Sequence, residues 1–239
     1  DNTAGNAHVY GLDGSPAIWS RDQGQDGFGN NVSGDFVRLF IGQRRGGSNY
    51  YGLDITNRAT PSLLWKLEGG SGDFSEMGQS WAQPIPGRIK IGSAVRDVLF
   101  ISGGYDTGKD GSTTSSTDTK GRALYIVDAE TGQKLWSGGP TIGQFDEVFS
   151  DMQYSIPAAL AVIDANRDGL SDGMYVGDLG GQVWRFDITN GESIGDLVTG
   201  GVIADLGAAG SSDAAQNHRF YHSPDVAILQ QDGERVLAI

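Results

Sequence analysis

Four segments of this chain pair a proline with an apolar run: Ser15-Pro16-Ala17-Ile18-Trp19, Gln83-Pro84-Ile85, Ile156-Pro157-Ala158-Ala159-Leu160 and Ser223-Pro224-Asp225-Val226-Ala227. The prolines recur at intervals of 68, 73 and 67 residues. Proline suits the first residue of a strand, where no ladder donor is missed. Each unit then continues in the same order. A second apolar run follows at Val37–Gly42, Val98–Gly103, Met174–Gly177 and Val236–Ile239. A third, with an aromatic residue and an aspartate, is Ser48–Asp54, Ala123–Asp128 and Gln182–Asp187. A fourth is Leu63–Leu67 and Lys134–Trp136, with Val202–Leu206 in the same place in the third unit. Repetition on this scale confines the fold to an array of supersecondary units. Four short antiparallel strands per unit make a propeller blade.

The expected fold is therefore all-β: a modified β-propeller spanning residues 1–239. Its repeat units cover about 14–80, 81–150 and 151–215, with a partial unit over 216–239. Glycine supports this, because its 38 residues are scattered between the apolar runs rather than pooled in a linker. The hairpin Asp128-Ala129-Glu130-Thr131-Gly132-Gln133-Lys134-Leu135-Trp136 resembles those of quinoprotein-type blades, whose units are shorter, so the loops here are enlarged. Ala7–Asp13 matches the third-strand pattern of a preceding blade. The chain begins without methionine and stops inside an apolar run, so a fragment of a larger propeller is expected.

Charge narrows the function. The net charge of −13 repels phosphate backbones and argues against nucleic-acid binding, while favouring divalent cations. No apolar run reaches the ~18 residues that span a bilayer, so no transmembrane segment is expected. No cysteine is present, which rules out a disulfide framework.

Asp164-Ala165-Asn166-Arg167-Asp168-Gly169-Leu170-Ser171-Asp172 carries the clearest chemistry. Oxygen-bearing side chains stand at relative positions 1, 3, 5 and 9, and glycine stands at 6, where a cation loop turns sharply. The spacing predicts a Ca²⁺ site with side-chain ligands Asp164, Asn166, Asp168 and Asp172 and the Leu170 carbonyl. It is not a complete EF-hand, because position 12 is Tyr175 rather than glutamate, and the flanks read as strands rather than helices. The alternative is an acidic hairpin turn that holds no ion.

Other features take plainer readings. Asp22–Asn31 occupies the same place in the first unit, but its spacing fits no ligand scheme. Gln231–Glu234 is a tight hairpin turn. Tyr105–Gly121 is so poor in apolar residues that a mobile insertion is expected, with an interaction loop as the alternative. The five tryptophans, Trp19, Trp65, Trp81, Trp136 and Trp184, are read as blade packing rather than a ligand platform. His218 and His222 lack a third ligand for zinc. No nucleophile elbow, phosphate loop or HExxH motif occurs, and no catalytic residue is assigned.

The block from Ile163 to Asp187, which holds the acidic loop and Gly180-Gly181-Gln182-Val183-Trp184-Arg185-Phe186-Asp187, resembles the signature of the PilY1 family of type IV pilus tip and biogenesis proteins. Phe100-Ile101-Ser102-Gly103-Gly104-Tyr105-Asp106 is also similar to a segment of that family. The resemblance implies a C-terminal modified β-propeller with a calcium loop, and it carries the ligand role onto Asp164, Asn166, Asp168, Leu170 and Asp172. Asn166 stands where the family usually has Asp, which lowers the loop's charge. It further implies an extracellular, cell-surface location at the pilus tip, pilins or minor pilins as partners, a possible host or surface ligand, and roles in pilus biogenesis, twitching motility and adhesion. No Arg-Gly-Asp of the kind some members carry is present. Two rival classes are an extracellular propeller module that binds carbohydrate or protein, and a quinoprotein dehydrogenase. A non-enzymatic pilus protein is the reading preferred.

Overall fold

A computed structural model describes residues 10–25, 27, 34–112, 116–207, 213–231 and 234–238. Three meandering sheets and a two-stranded ribbon follow one another along the chain. The first holds β1 (Ala17–Arg21), β2 (Phe36–Gly42), β3 (Tyr50–Asp54) and β4 (Ser62–Leu67). The second holds β5 (Ile85–Ile91), β6 (Ala94–Ser102), β7 (Leu124–Asp128), β8 (Lys134–Gly139) and β9 (Glu147–Val148). The third holds β10 (Ala161–Ile163), β11 (Gly173–Gly177), β12 (Gln182–Ile188) and β13 (Val198–Asp205). The ribbon pairs β14 (Ala227–Gln231) with β15 (Glu234–Ala238). Each meander is antiparallel in chain order, and only the short β9 runs parallel to its neighbour β8. These are propeller blades, and among the described residues the sheets do not close a ring.

The second blade shows why they stack. Val98, Leu99, Phe100 and Ile101 of β6 are all fully buried. Strand side chains alternate between faces. Val98 and Phe100, with Leu124, Ile126 and Trp136, therefore join the third blade's Met174, Val176, Trp184 and Phe186 in one core. Leu99 and Ile101, with Tyr125 and Val127, join the first blade's Phe40, Tyr50, Trp65 and Leu67 in another. The continuous apolar run at 98–101 is thus a strand buried on both faces. Each such side chain contributes roughly 1.5–3 kcal/mol of burial. Trp65 also crosses the seam, donating from Nε1 to the Ala129 carbonyl at 3.1 Å.

The tryptophans divide. Trp65, Trp136 and Trp184 are core, whereas Trp19 and Trp81 are only half-buried. Ile156–Leu160, expected as the first strand of the third unit, lies ahead of β10. Its residues serve the neighbouring blade instead: Gly104 N donates to Ile156 O at 2.9 Å, and Ile156 N to Gly121 O at 3.0 Å. The expected strand at 7–13 lies outside the described residues up to residue 9, and residues 10–13 form no strand. Half of the Asp22–Asn31 loop and the tip of the Gln231–Glu234 turn are also outside them.

One expectation is corrected. The 105–121 loop is anchored on both sides of residues 113–115, which lie outside the described residues. Its order comes from polar partners, not apolar burial. The Lys109 ammonium and the Asp118 carboxylate are both buried and stand 2.6 Å apart. Asp118 Oδ2 accepts from Ser155 N at 2.7 Å, and Asp118 N donates to Gln153 O at 2.9 Å. Asp106 accepts from Gly108 N, Thr119 N, Thr119 Oγ1 and Lys120 N. Burial alone would raise its carboxyl, but those donors outweigh it and hold the group below the usual carboxylate range. Gly121 N reaches back to Glu76 O, and Arg122 pairs with Glu76 at 2.8 Å. The loop therefore ties the lead-in segments of the second and third blades together.

Candidate functional site

The acidic loop joins β10 to β11 at the opposite end of the blades from the 105–121 loop. Its side chains fold onto its own backbone. Asp164 Oδ1 accepts from Arg167 N at 2.6 Å and Asp168 N at 3.2 Å, while Oδ2 accepts from Gly169 N at 2.8 Å. Asp172 Oδ2 accepts from Ala165 N at 2.8 Å and Asn166 N at 3.2 Å. Asp168 Oδ1 accepts from Leu170 N at 2.8 Å, and its Oδ2 from Asn166 Nδ2 at 3.1 Å. Two residues take left-handed backbone: Arg167 at φ 65° and Gly169 at φ 88°. Glycine adopts this conformation without strain, so its place at the turn follows from the geometry.

All four predicted ligand side chains thus share one loop with their oxygens turned toward its amides. They do not converge further: among the described residues, no three His, Asp or Glu side chains form a ready metal cluster. The donor chemistry nevertheless suits a hard cation. An ionised carboxylate offers about four lone-pair positions. Asp164 uses three on backbone amides, and Asp172 uses only Oδ2 in these bonds. Asn166 and Asp168 spend acceptor capacity on each other and would have to separate to face an ion.

The loop ends on the seam with the second blade. Ser171 N donates to Arg88 O at 2.7 Å. Asn190 Nδ2 donates to Ser171 O at 2.9 Å, and Asn190 Oδ1 accepts from Lys90 N at 2.8 Å. Gly191 N donates to Lys90 O and Gly92 N to Glu192 O. Next to the loop, Asp172 N donates to Ile163 O and Ile188 N to Asp172 O, which pins its end to β10 and β12. Tyr175, at the position where an EF-hand has glutamate, is buried in β11, its phenol raised by burial.

Comparison with known proteins accounts for the blades. A family model described as the PilY1 beta-propeller domain matches residues 2–201. The chain belongs to the PilY1 β-propeller domain family. It is 31% identical over 195 residues to a type IV pilus biogenesis factor PilY1 from Pseudomonas aeruginosa, covering 79% of this chain and 14% of that protein. A PilY1 homolog from Xylella fastidiosa is 30% identical over 189 residues, covering 76% of this chain and 11% of its own length. The chain therefore spans only a small part of these relatives. The crystal structure of the Pseudomonas aeruginosa PilY1 C-terminal domain aligns with a TM-score of 0.62 at 23% identity, over 90% of this chain and 41% of that one, and supports the propeller fold. Among the described residues, no helix is long and apolar enough to cross a membrane.

Two buried or clustered polar groups were not legible in the sequence. Asp178, in the turn between β11 and β12, is fully buried and accepts from Gly180 N, Gln182 N and Trp184 Nε1 at 2.8–2.9 Å. Burial pushes its carboxyl up to about 6, against the pull of those donors and with help from Asp118. Arg44 and Arg45 gather on Trp81, far away in sequence. The basic pair in so acidic a chain was the one available signal.

Proposed function

We propose that this chain is the calcium-binding propeller of a type IV pilus-associated surface protein that supports pilus biogenesis, extension and retraction, twitching motility and adhesion through contacts with pilins or minor pilins. Family membership supports the pilus role, and the single observation behind the calcium role is the self-folded 164–172 loop with its inward carboxylates. The ligands would be Asp164, Asn166, Asp168 and Asp172, with the Leu170 carbonyl. The bound cation supplies positive charge that offsets the repulsion among three carboxylates. Asp168 and Asn166 then exchange their mutual hydrogen bond for ligation. Ser171 and Asp172 carry the tightened loop onto Arg88 and β12, so the seam between second and third blades is fixed in one arrangement. A rigid seam presents a constant surface to a pilus subunit. The protein acts as a scaffold and not as an enzyme.

The test is a calorimetric calcium titration of metal-free protein beside Asp168→Ala, followed by twitching assays of cells that carry the same substitution. One site in the parent, lost in the variant together with normal retraction, is expected. A folded parent that takes up no calcium would remove the metal role. Normal pili in a variant that binds none would remove the control of retraction.

A further inference from the structure

The four proline segments also meet in one place. Ser15, Gln83, Pro157 and Ser223, one from each, line a single cavity of about 260 Å³ at the lead-in end of the blades. Arg44, Trp81, Tyr221 and His222 also line it. The repeat therefore converges on a polar, aromatic-edged hollow.

Arg44, which lines the hollow, and Arg45, which shares the Trp81 ring with it, are held in place. Trp81 stacks on Tyr105 with ring centroids 4.4 Å apart and 26° between planes. The guanidinium carbons of Arg44 and Arg45 lie 5.0 and 5.2 Å from the Trp81 ring centroid. This cation–π geometry orients both heads. The turn that carries them is clamped to the buried Ser80: Arg44 N donates to Ser80 O, Gln43 N to Ser80 Oγ, and Ser80 N to Gly47 O. Arg44 itself takes φ 53°, a left-handed conformation that is strained for a non-glycine residue and persists only where the surroundings enforce it. Among the described residues, neither arginine has a carboxylate within ion-pair distance, in a chain whose net charge is −13.

We propose that this hollow binds a carboxylate-bearing sugar residue. The planar guanidinium fork of Arg44, with Arg45 beside it, receives the carboxylate. The hydroxyls of Ser15 and Ser223, the Tyr221 phenol and the His222 imidazole offer partners for ring hydroxyls. The volume suits one ring and lies below the roughly 300–1,000 Å³ of drug-sized pockets. The site is separate from the acidic loop, which leaves the opposite end of the blades.

The test is a saturation-transfer NMR and calorimetric titration of the full chain with D-glucuronate, D-glucose and acetate. EDTA is present throughout, so that the calcium reading plays no part. Glucuronate binding is expected, with glucose and acetate at least tenfold weaker. Arg44→Gln should weaken glucuronate at least tenfold with an unchanged unfolding midpoint, and Arg44→Lys should fall between. If Arg44→Gln unfolds, Arg45→Gln takes its place. No glucuronate binding by the folded parent, equal binding of acetate, or unchanged affinity in the folded glutamine variant would each overturn the proposal.

Discussion

The 105–121 loop turns its charges into the protein, and the 164–172 loop turns them onto its own backbone. In the first, Lys109 and Asp118 are buried against each other and against the lead-in of the third blade. In the second, Asn166, Arg167 and Asp168 are exposed, and most of the carboxylate bonds stay within nine residues. Both are polar and both interrupt a blade. The first is fixed by long-range partners and works as a staple. The second is fixed by local bonds with acceptor capacity to spare, and is the one suited to an ion. Burial of the charges, not their number, separates the structural loop from the candidate functional one.

The largest effect should come from unpairing the staple. Asp118→Ala leaves the Lys109 ammonium buried without its carboxylate, and breaking a buried pair from one side costs about 3–5 kcal/mol. Urea unfolding measures it. Replacing both partners, as Lys109→Met with Asp118→Leu, should cost clearly less than the single change, because no charge is stranded. A single substitution that costs under about 1 kcal/mol would erase the distinction between the two loops.

Asp178 extends the buried side of the comparison. Its folded carboxyl is raised to about 6 from an ordinary value of 3.8, so the folded state holds a proton more tightly than the unfolded chain. Its contribution therefore becomes more favourable as pH falls from about 6 toward 3.8, and less favourable as pH rises through the same window. At about 1.4 kcal/mol per unit, the swing is at most about 3 kcal/mol. Parent and Asp178→Asn should diverge in urea midpoint between pH 7.5 and 4.5, with the parent gaining relative to the variant. Parallel pH profiles would show that the carboxyl is not desolvated.

How far the sequence carried the reading follows from where each signal resides. Blades were legible because strand patterning is local: the run at Val98–Ile101 marks a strand covered on both faces, and the aspartate-bearing third runs coincide with β3, β7 and β12. The acidic loop was legible as a tight turn because its aspartates and glycine are written in nine consecutive residues. The ordering of 105–121 was not, because its partners Glu76, Gln153 and Ser155 lie outside the segment, and low apolar content argued the other way. Ile156–Leu160 has a strand's composition, yet Ile156 is taken up by Gly104 and Gly121 of the adjacent blade. The Arg44–Trp81 contact and the burial of Asp178 depend on packing that no local pattern encodes.

On the local side, Asp168→Ala should barely alter the metal-free protein, by about 0.5 kcal/mol, since the residue is exposed and its bonds are short-range. Calcium at a hundred times its dissociation constant should stabilise the parent by about 2.7 kcal/mol and the variant by almost nothing. EDTA should reverse the gain. Melting curves with and without calcium check this. An equal calcium shift in both proteins would place the ion elsewhere.

The smallest effects test whether the acidic loop is preformed. Gly169 sits at φ 88° with nothing within 4 Å of an added Cβ, so Gly169→Ala meets no neighbour and isolates backbone strain. It should cost about 1 kcal/mol. Arg167, exposed at φ 65°, offers the reverse. Arg167→Gly relieves strain of about 1 kcal/mol, while the added freedom of the unfolded chain takes back roughly 0.5–1 kcal/mol, leaving a change near zero or slightly favourable. The two substitutions should therefore differ in sign or clearly in size in metal-free protein. If Gly169→Ala is neutral without calcium but costly with it, the left-handed turn forms only when the ion binds. The loop would then be ordered by ligation rather than by its own amides, and the contrast would be between a staple fixed by long-range partners and a loop fixed only by its ion.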